Sequence, residues 1–221
     1  PTPDLAEDEG AMLRTYLGEG GKVMGLLGDT NASELPNLEA ILEEFGMLAA
    51  DGYIADPQRC YQGNYYSIFP ELSLSGDMAE GISSEMVLLT NTHGMNLIDP
   101  ARDTITTTGF MSSSENSYAV TETSQEQGAF TLGAVAEETI TESTEDETDS
   151  ADADSEETDT GDTEAANSTD DSSSEDTSSD ESADETESKT ARLTVISAGS
   201  LIDSQITDSF TQLENTQVFM N

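Results

Sequence analysis

Four residues of this sequence could do chemistry, and each stands alone. Cys60, the single cysteine, lies in Pro57-Gln58-Arg59-Cys60-Tyr61-Gln62-Gly63. A nucleophilic cysteine of an α/β hydrolase or amidotransferase needs a strand-to-helix elbow flanked by glycines. This stretch is polar, turn-rich and preceded by no strand, so Cys60 reads as an incidental loop cysteine. His93, the single histidine, follows the apolar run Met86–Thr90. Ligands of open α/β sheets gather beyond the carboxyl ends of strands, which makes His93 a strand-end binding candidate; its ordinary reading is a loop histidine without catalytic duty. Asp29 closes the apolar run Lys22–Leu27 and is a candidate on the same ground. Ser200 follows a strand and opens a helix, as a nucleophile elbow does, but Ala198 and Ile202 stand where the Gly-x-Ser-x-Gly frame needs glycines. An N-capping serine is its ordinary reading. No residue is assigned a catalytic role, and Asp29, His93 and Ser200 are the binding candidates.

Metal and phosphate chemistry find less support. Asp152-Ala153-Asp154-Ser155-Glu156-Glu157 lacks the glycine that lets an EF-hand loop turn its oxygens onto one calcium ion. One cysteine excludes an internal disulfide and a multi-cysteine zinc site. Gly18-Glu19-Gly20-Gly21 precedes a strand where a phosphate-binding loop would follow one. No metal site and no cofactor are expected.

The charge excludes other classes. The 221 residues carry 47 Asp and Glu against 6 Lys and Arg, a net charge of −41. Six cations make no basic footprint, so nucleic acid is not a partner, and adhesion to an anionic membrane surface is disfavoured. The charge is unevenly placed. Residues 137–188 hold 23 acids and no base, leaving 24 acids and 6 bases elsewhere. That tract is built almost wholly of Ser, Thr, Asp, Glu and Ala. It buries too little apolar surface to offset chain entropy and is expected to be disordered.

The elements that must position the candidates read as helices alternating with short apolar strands. Asp4 with Glu7 has capping-box spacing, and Leu13, Tyr16 and Leu17 form one helical stripe. Gly18, Gly20 and Gly21 end that helix. Lys22–Leu27 is nearly continuous in apolar residues, the pattern of a strand covered on both faces. A second helix opens near Ser33 with Pro36 in its first turn, runs through Leu38, Ile41, Leu42 and Phe45, and closes at Gly46. Strands are expected around Tyr66–Phe69 and at Met86–Thr90, with exposed or edge strands at Thr104–Thr108 and Tyr118–Thr121. Phe130–Ala136 is the last apolar run before the tract. Beyond it, Leu193–Ser197 reads as a strand, Leu201–Leu213 as a helix with Leu201, Ile202, Ile206 and Phe210 inward, and a short helix begins near Asn215.

Residues 190–221 are too few to build an independent core. They must pack on the first part, giving one domain over 1–136 plus 190–221 with an insertion at 137–189. Loop closure costs only about 0.6 kcal/mol per doubling of length, so the insertion is tolerable. The alternation points to an α/β three-layer sandwich with a mostly parallel sheet.

Several segments resemble, in colinear order, the extracytoplasmic domain of the Gldg family, auxiliary components of an ABC-type transport system associated with gliding motility. They are Asp4-Leu5 with Leu13, Tyr16-Leu17 and Gly20-Gly21-Lys22; Leu35-Pro36-Asn37-Leu38 with Phe45-Gly46; Gly52-Tyr53-Ile54-Ala55-Asp56-Pro57; Ser112-Ser113-Ser114-Glu115-Asn116-Ser117-Tyr118; and Leu193–Ser197 through Asn215 to Asn221. The resemblance covers most of residues 2–136 and 190–221. It implies a fold like that of class I glutamine amidotransferases without an established catalytic residue, and a cell-membrane parent protein whose membrane-spanning segments lie outside this sequence. It also implies an ABC permease and ATPase as partners, and at least one further strand before Pro1. The function expected is a non-catalytic extracytoplasmic domain that binds a partner or ligand. The alternatives are a hydrolase or amidotransferase-like enzyme on the same fold, and a surface interaction module that uses the acidic tract.

Overall fold

The computed structural model describes residues 4–29, 31–83, 86–141, 188–210 and 212–220. In chain order the elements are helix α1 (Glu7–Gly18), strand β1 (Lys22–Leu26), helix α2 (Pro36–Glu44), and strands β2 (Met47–Ala49), β3 (Tyr53–Ala55), β4 (Cys60–Tyr61), β5 (Asn64–Ile68) and β6 (Glu71–Leu72). There follow β7 (Leu89–Thr90), β8 (Met95–Leu97), β9 (Ile105–Ser112), β10 (Tyr118–Val120), β11 (Gln125–Gln127), β12 (Thr131–Thr141) and β13 (Ser188–Ile196). Two short helices close the series, α3 (Ser204–Thr207) and α4 (Asn215–Met220). Most of the acidic tract, with its expected disorder, lies outside the described residues.

The sheet topology corrects the expected fold. The largest sheet has seven strands in the order β1-β13-β12-β8-β2, with β9 also paired to β12 and β6 to β9. Parallel pairing joins β1 to β13, Lys22 opposite Arg192 through Leu26 opposite Ile196. The pairs β12·β9, β12·β8, β2·β8 and β6·β9 are antiparallel. Two three-stranded antiparallel sheets, β11-β10-β3 and β4-β5-β7, complete the structure. The protein is thus a mixed, mainly β structure and not a mostly parallel three-layer sandwich. The physical reason is that parallel neighbours require a long crossover, whereas strands as close in sequence as β4 and β5 or β10 and β11 pair as antiparallel hairpins, and the longer β9 and β12 pair antiparallel across the β10–β11 hairpin.

Two apolar clusters form the core. One joins Leu17 of α1 and Ile41, Leu42 and Phe45 about α2 to Leu193 and Val195 of β13. The other gathers Ile68, Leu89, Phe110, Leu132, Ile196 and Leu201, with Val218 from α4. Because successive residues of a strand point to opposite faces, Val195 joins the first cluster and Ile196 the second. β1 contributes less than its composition suggested. Among the described residues it ends the sheet, none of its residues is fully buried, and Tyr16 before it is half exposed.

Helix termini show two further departures. Asp4 caps α2, not α1: its carboxylate accepts the N–H groups of Asn37 (2.7 Å) and Leu38 (3.1 Å), as well as that of Leu5. Slight burial pushes the Asp4 carboxyl up, but these three N–H donors hold it below the usual carboxylate range. At α1 the Glu9 carboxylate accepts the Ala6 N–H at 2.8 Å, and alanine has no acceptor to return the bond. The helix expected over Leu201–Leu213 is instead a 3-10 turn at Gly199–Ile202 followed by α3, whose Asp203 cap accepts the Gln205 N–H. An Asx cap terminates the first turn and starts the second.

An ion network ties α2 to the sheet. Arg102 donates through Nε and Nη2 to the two oxygens of Glu138 at 2.7 and 2.9 Å, and through Nη1 to Glu44, which also accepts from Arg14. The guanidinium lies 5.5 Å from the centre of the Phe45 ring. The bonds from Arg102 hold the Glu138 carboxyl below the usual range; at Glu44 burial pushes the other way and the two arginines outweigh it. Carboxyls lowered in the folded state contribute stability that is complete above their unfolded pKa near 4.5 and is lost as pH falls through the folded value. With Arg102 41% exposed, the contribution is about 1 kcal/mol or less per pair. Relative to Arg102→Met, the wild type is expected to lose its advantage progressively as pH falls below about 4.5 in urea unfolding. An advantage independent of pH would mean that the network does not stabilise the fold.

Candidate binding cleft at the strand ends

The carboxyl ends of β1 and β13, the parallel pair, open onto a cleft of about 350 Å³ lined by Gly28, Asp29, Asn91, Gly199, Ser200 and Asp203 among others. Parallel strands place their following loops at one end of the sheet, which is why Asp29 and Ser200, distant in sequence, meet there. Asn91 holds a left-handed conformation with φ of 53°. Two acids and several neutral polar groups, with no cation among the lining residues, suit a ligand rich in hydrogen-bond donors.

Ser200 is neither an N-cap nor a nucleophile in waiting. Its Oγ donates to the Thr90 carbonyl at 3.0 Å and accepts the Thr90 N–H at 2.8 Å. The hydroxyl proton is therefore committed to a backbone carbonyl, and Ser200 acts as a latch between the 3-10 turn and β7.

His93 does not join that cleft. It lines a smaller, mostly apolar pocket with Leu27, Leu38, Leu42 and Glu39. Nδ1 lies 2.5 Å from the Gly52 carbonyl, which makes Nδ1 the protonated nitrogen, and the ring stacks at a tilt 4.8 Å from Tyr53. Nε2 is buried without a hydrogen-bond partner among the described residues. Cys60 sits in β4, its thiol directed to the Pro57 carbonyl at 3.6 Å, away from both pockets' linings. The three potential reactive groups are each held by the backbone. Among the described residues no group of three or more His, Cys, Asp or Glu could hold a metal ion.

Asp56 is the residue that sequence reasoning passed over. It is fully buried, and its carboxylate accepts the N–H groups of Gln58, Arg59 and Ser114 and the hydroxyl of Ser114, all between 2.8 and 3.0 Å. Arg59 in turn donates to the carbonyls of Phe69 and Pro70. An Asp-Pro pair favours a turn, but nothing local points to Ser114, 58 residues away. The two segments that Asp56 joins, Gly52–Pro57 and Ser112–Tyr118, are both among those that carried the family resemblance.

No family model matches the sequence, and no curated protein matches it. Among solved structures the chain is similar to the mmIFT52 N-terminal domain, with a TM-score of 0.55 and 12% identity over 100% of this chain and 71% of that one. At that identity the likeness speaks for the fold alone, and it sits with the mixed β architecture described above. Among the described residues no helix is long and apolar enough to cross a membrane.

Proposed function

We propose that this domain is a non-catalytic binding module, the extracytoplasmic part of an auxiliary subunit of an ABC-type transporter, with the permease and ATPase as partners. The observation that favours binding over catalysis is the state of the reactive groups. The Ser200 proton is given to Thr90, His93 Nδ1 to Gly52, and the Cys60 thiol faces Pro57. A nucleophile needs a base within hydrogen-bond reach, and none of these three has one among the described residues. The strand-end cleft at Asp29 and Ser200 offers the ligand site that such a module requires. The transporter assignment rests on the colinear family resemblance. Affinity purification of the tagged parent protein from detergent-solubilised membranes is the test. Co-elution of a permease and an ATPase in stoichiometric amounts is expected; recovery of the parent chain alone overturns the assignment. Cys60→Ala and Ser200→Ala, assayed against ester and amide substrates, test the non-catalytic part, and an activity lost in either variant overturns it.

A further inference from the structure

Asp51–Gly52 is the one Asp-Gly pair of the sequence, and no asparagine is followed by glycine. The pair forms a bend between β2 and β3, with Asp51 exposed. Its carboxylate is held loosely: the Ser33 N–H and hydroxyl stand 3.5 and 3.4 Å from Oδ1, beyond the usual hydrogen-bond range. Among the described residues the Gly52 N–H donates to no acceptor. Glycine is also obligatory here. Gly52 holds φ of +89°, and a Cβ on it would lie 2.5 Å from the Val120 carbonyl oxygen. A backbone nitrogen unshielded by any side chain of its own thus follows a free carboxylate, the arrangement in which the two can close a ring.

We propose that Asp51 is a site of spontaneous covalent modification, converting through a succinimide to isoaspartate, and that the conversion releases His93 from the Gly52 carbonyl. The Gly52 nitrogen attacks Asp51 Cγ and loses its proton; a carboxyl oxygen departs as water, and a five-membered imide remains. Water then opens the ring. Addition at Cγ restores aspartate. Addition at the main-chain carbonyl of Asp51 breaks its bond to the Gly52 nitrogen. The chain then runs on through Cβ and Cγ, and the former main-chain carbonyl becomes a free carboxylate. No oxidant, reductant or cofactor enters, and the second step takes up the water lost in the first.

The structural effect follows from where the added atom falls. The Ala50 N–H donates to the Gly94 carbonyl at 2.9 Å, and that of Ile54 to the Thr92 carbonyl at 2.8 Å. Between these two anchors the Gly52 carbonyl accepts the His93 Nδ1–H at 2.5 Å. Isoaspartate lengthens the main chain by one atom inside that closed span. With both ends tied, the extra length bows the bend, and the Gly52 carbonyl at its centre is the group that moves. His93 is 3% exposed and its Nε2 has no partner among the described residues, so the ring then loses the one side-chain hydrogen bond that orients it.

The full chain is aged at neutral pH beside a synthetic peptide spanning residues 47–56. Both are mapped by liquid chromatography with electron-transfer dissociation, which separates isoaspartate from aspartate. Isoaspartate is expected at position 51 ahead of every other aspartate of the chain, through an intermediate lighter by one water. Asp51→Glu, which must close a six-membered imide, should slow the conversion at least ~10-fold. Absence of isoaspartate at position 51 of the full chain, once the peptide has reached its equilibrium mixture, overturns the proposal. The release of His93 has a readout of its own. As the single histidine, its ring gives one set of proton resonances. In the aged wild type a second set is expected in proportion to the isoaspartate formed, and none in Asp51→Glu aged alike. An unchanged His93 signal in chains that carry isoaspartate at position 51 overturns that half of the proposal.

Discussion

Asp56→Ala is expected to cost the domain about 3–5 kcal/mol, more than loss of any of the exposed ion pairs. The wild-type carboxylate is fully buried and accepts four hydrogen bonds. Removing it leaves the N–H groups of Gln58, Arg59 and Ser114 without this acceptor, that of Ser114 in a buried site. Asp56→Asn keeps the volume but turns one acceptor oxygen into an amide donor, which must face a donor already present. A loss of about 2 kcal/mol is expected for it. Urea unfolding with both variants gives the measurement. A loss under about 1 kcal/mol for Asp56→Ala would mean that the four bonds do not hold the two loops together.

Asn215 carries the second large effect, for a different reason. Its side chain substitutes for a missing strand neighbour: Nδ2 donates to the carbonyls of Leu88 and Leu201, and Oδ1 accepts the Leu88 N–H at 2.9 Å. Asn215→Ala leaves three backbone groups unpaired beside Val87, Leu88 and Leu89, all buried, and about 2–4 kcal/mol should be lost. For a chain of this size that lowers the melting temperature by roughly 5–15 °C. Asn215→Asp separates hydrogen bonding from shape. At neutral pH it sets a carboxylate against two carbonyls and should be at least as damaging as alanine; at about pH 4 the protonated acid can donate once and recover part of the loss. Calorimetry of the three proteins at both pH values decides it, and an aspartate variant indistinguishable from wild type at neutral pH would refute the reading.

Local signals carried the parts of the fold that depend on local physics. Pro36 at the first position of α2 and Gly46 after its end marked that helix well. Gly46 holds φ of +78°, and a Cβ there would lie 2.8 Å from the Ile98 carbonyl oxygen, so only glycine fits. β13 followed from the run Leu193–Ser197, and α4 from Asn215 onward. The layer architecture did not follow. Leu201, Ile202, Ile206 and Phe210 have helical spacing, yet Asp203 interrupts them with a cap of its own. Thr106, Thr107 and Thr108 read as an edge strand, and among the described residues they pair on one side only, with β12, because β6 reaches no further along β9 than Ser112 and Met111. The candidate cleft was half legible: the strand-end rule located Asp29 and Ser200, but it placed His93 beside them when the Gly52 carbonyl turns that ring toward a separate pocket. Asp56 was invisible for a simpler reason, since its main partner, Ser114, is 58 residues away.

The pairing of Lys22 with Arg192 has a consequence for biosynthesis. The two residues are 170 positions apart, and a ribosome adds roughly 5–20 residues per second. β1 therefore waits on the order of 10–30 s, after it has emerged, for the strand that completes its inner edge. Throughout that interval the edge of β1 that pairs with β13 is bare, and the α1–α2 cluster lacks Leu193 and Val195. The nascent sheet is consequently held open until β13 is made, and any factor that shields an apolar strand during synthesis would find β1 its natural client.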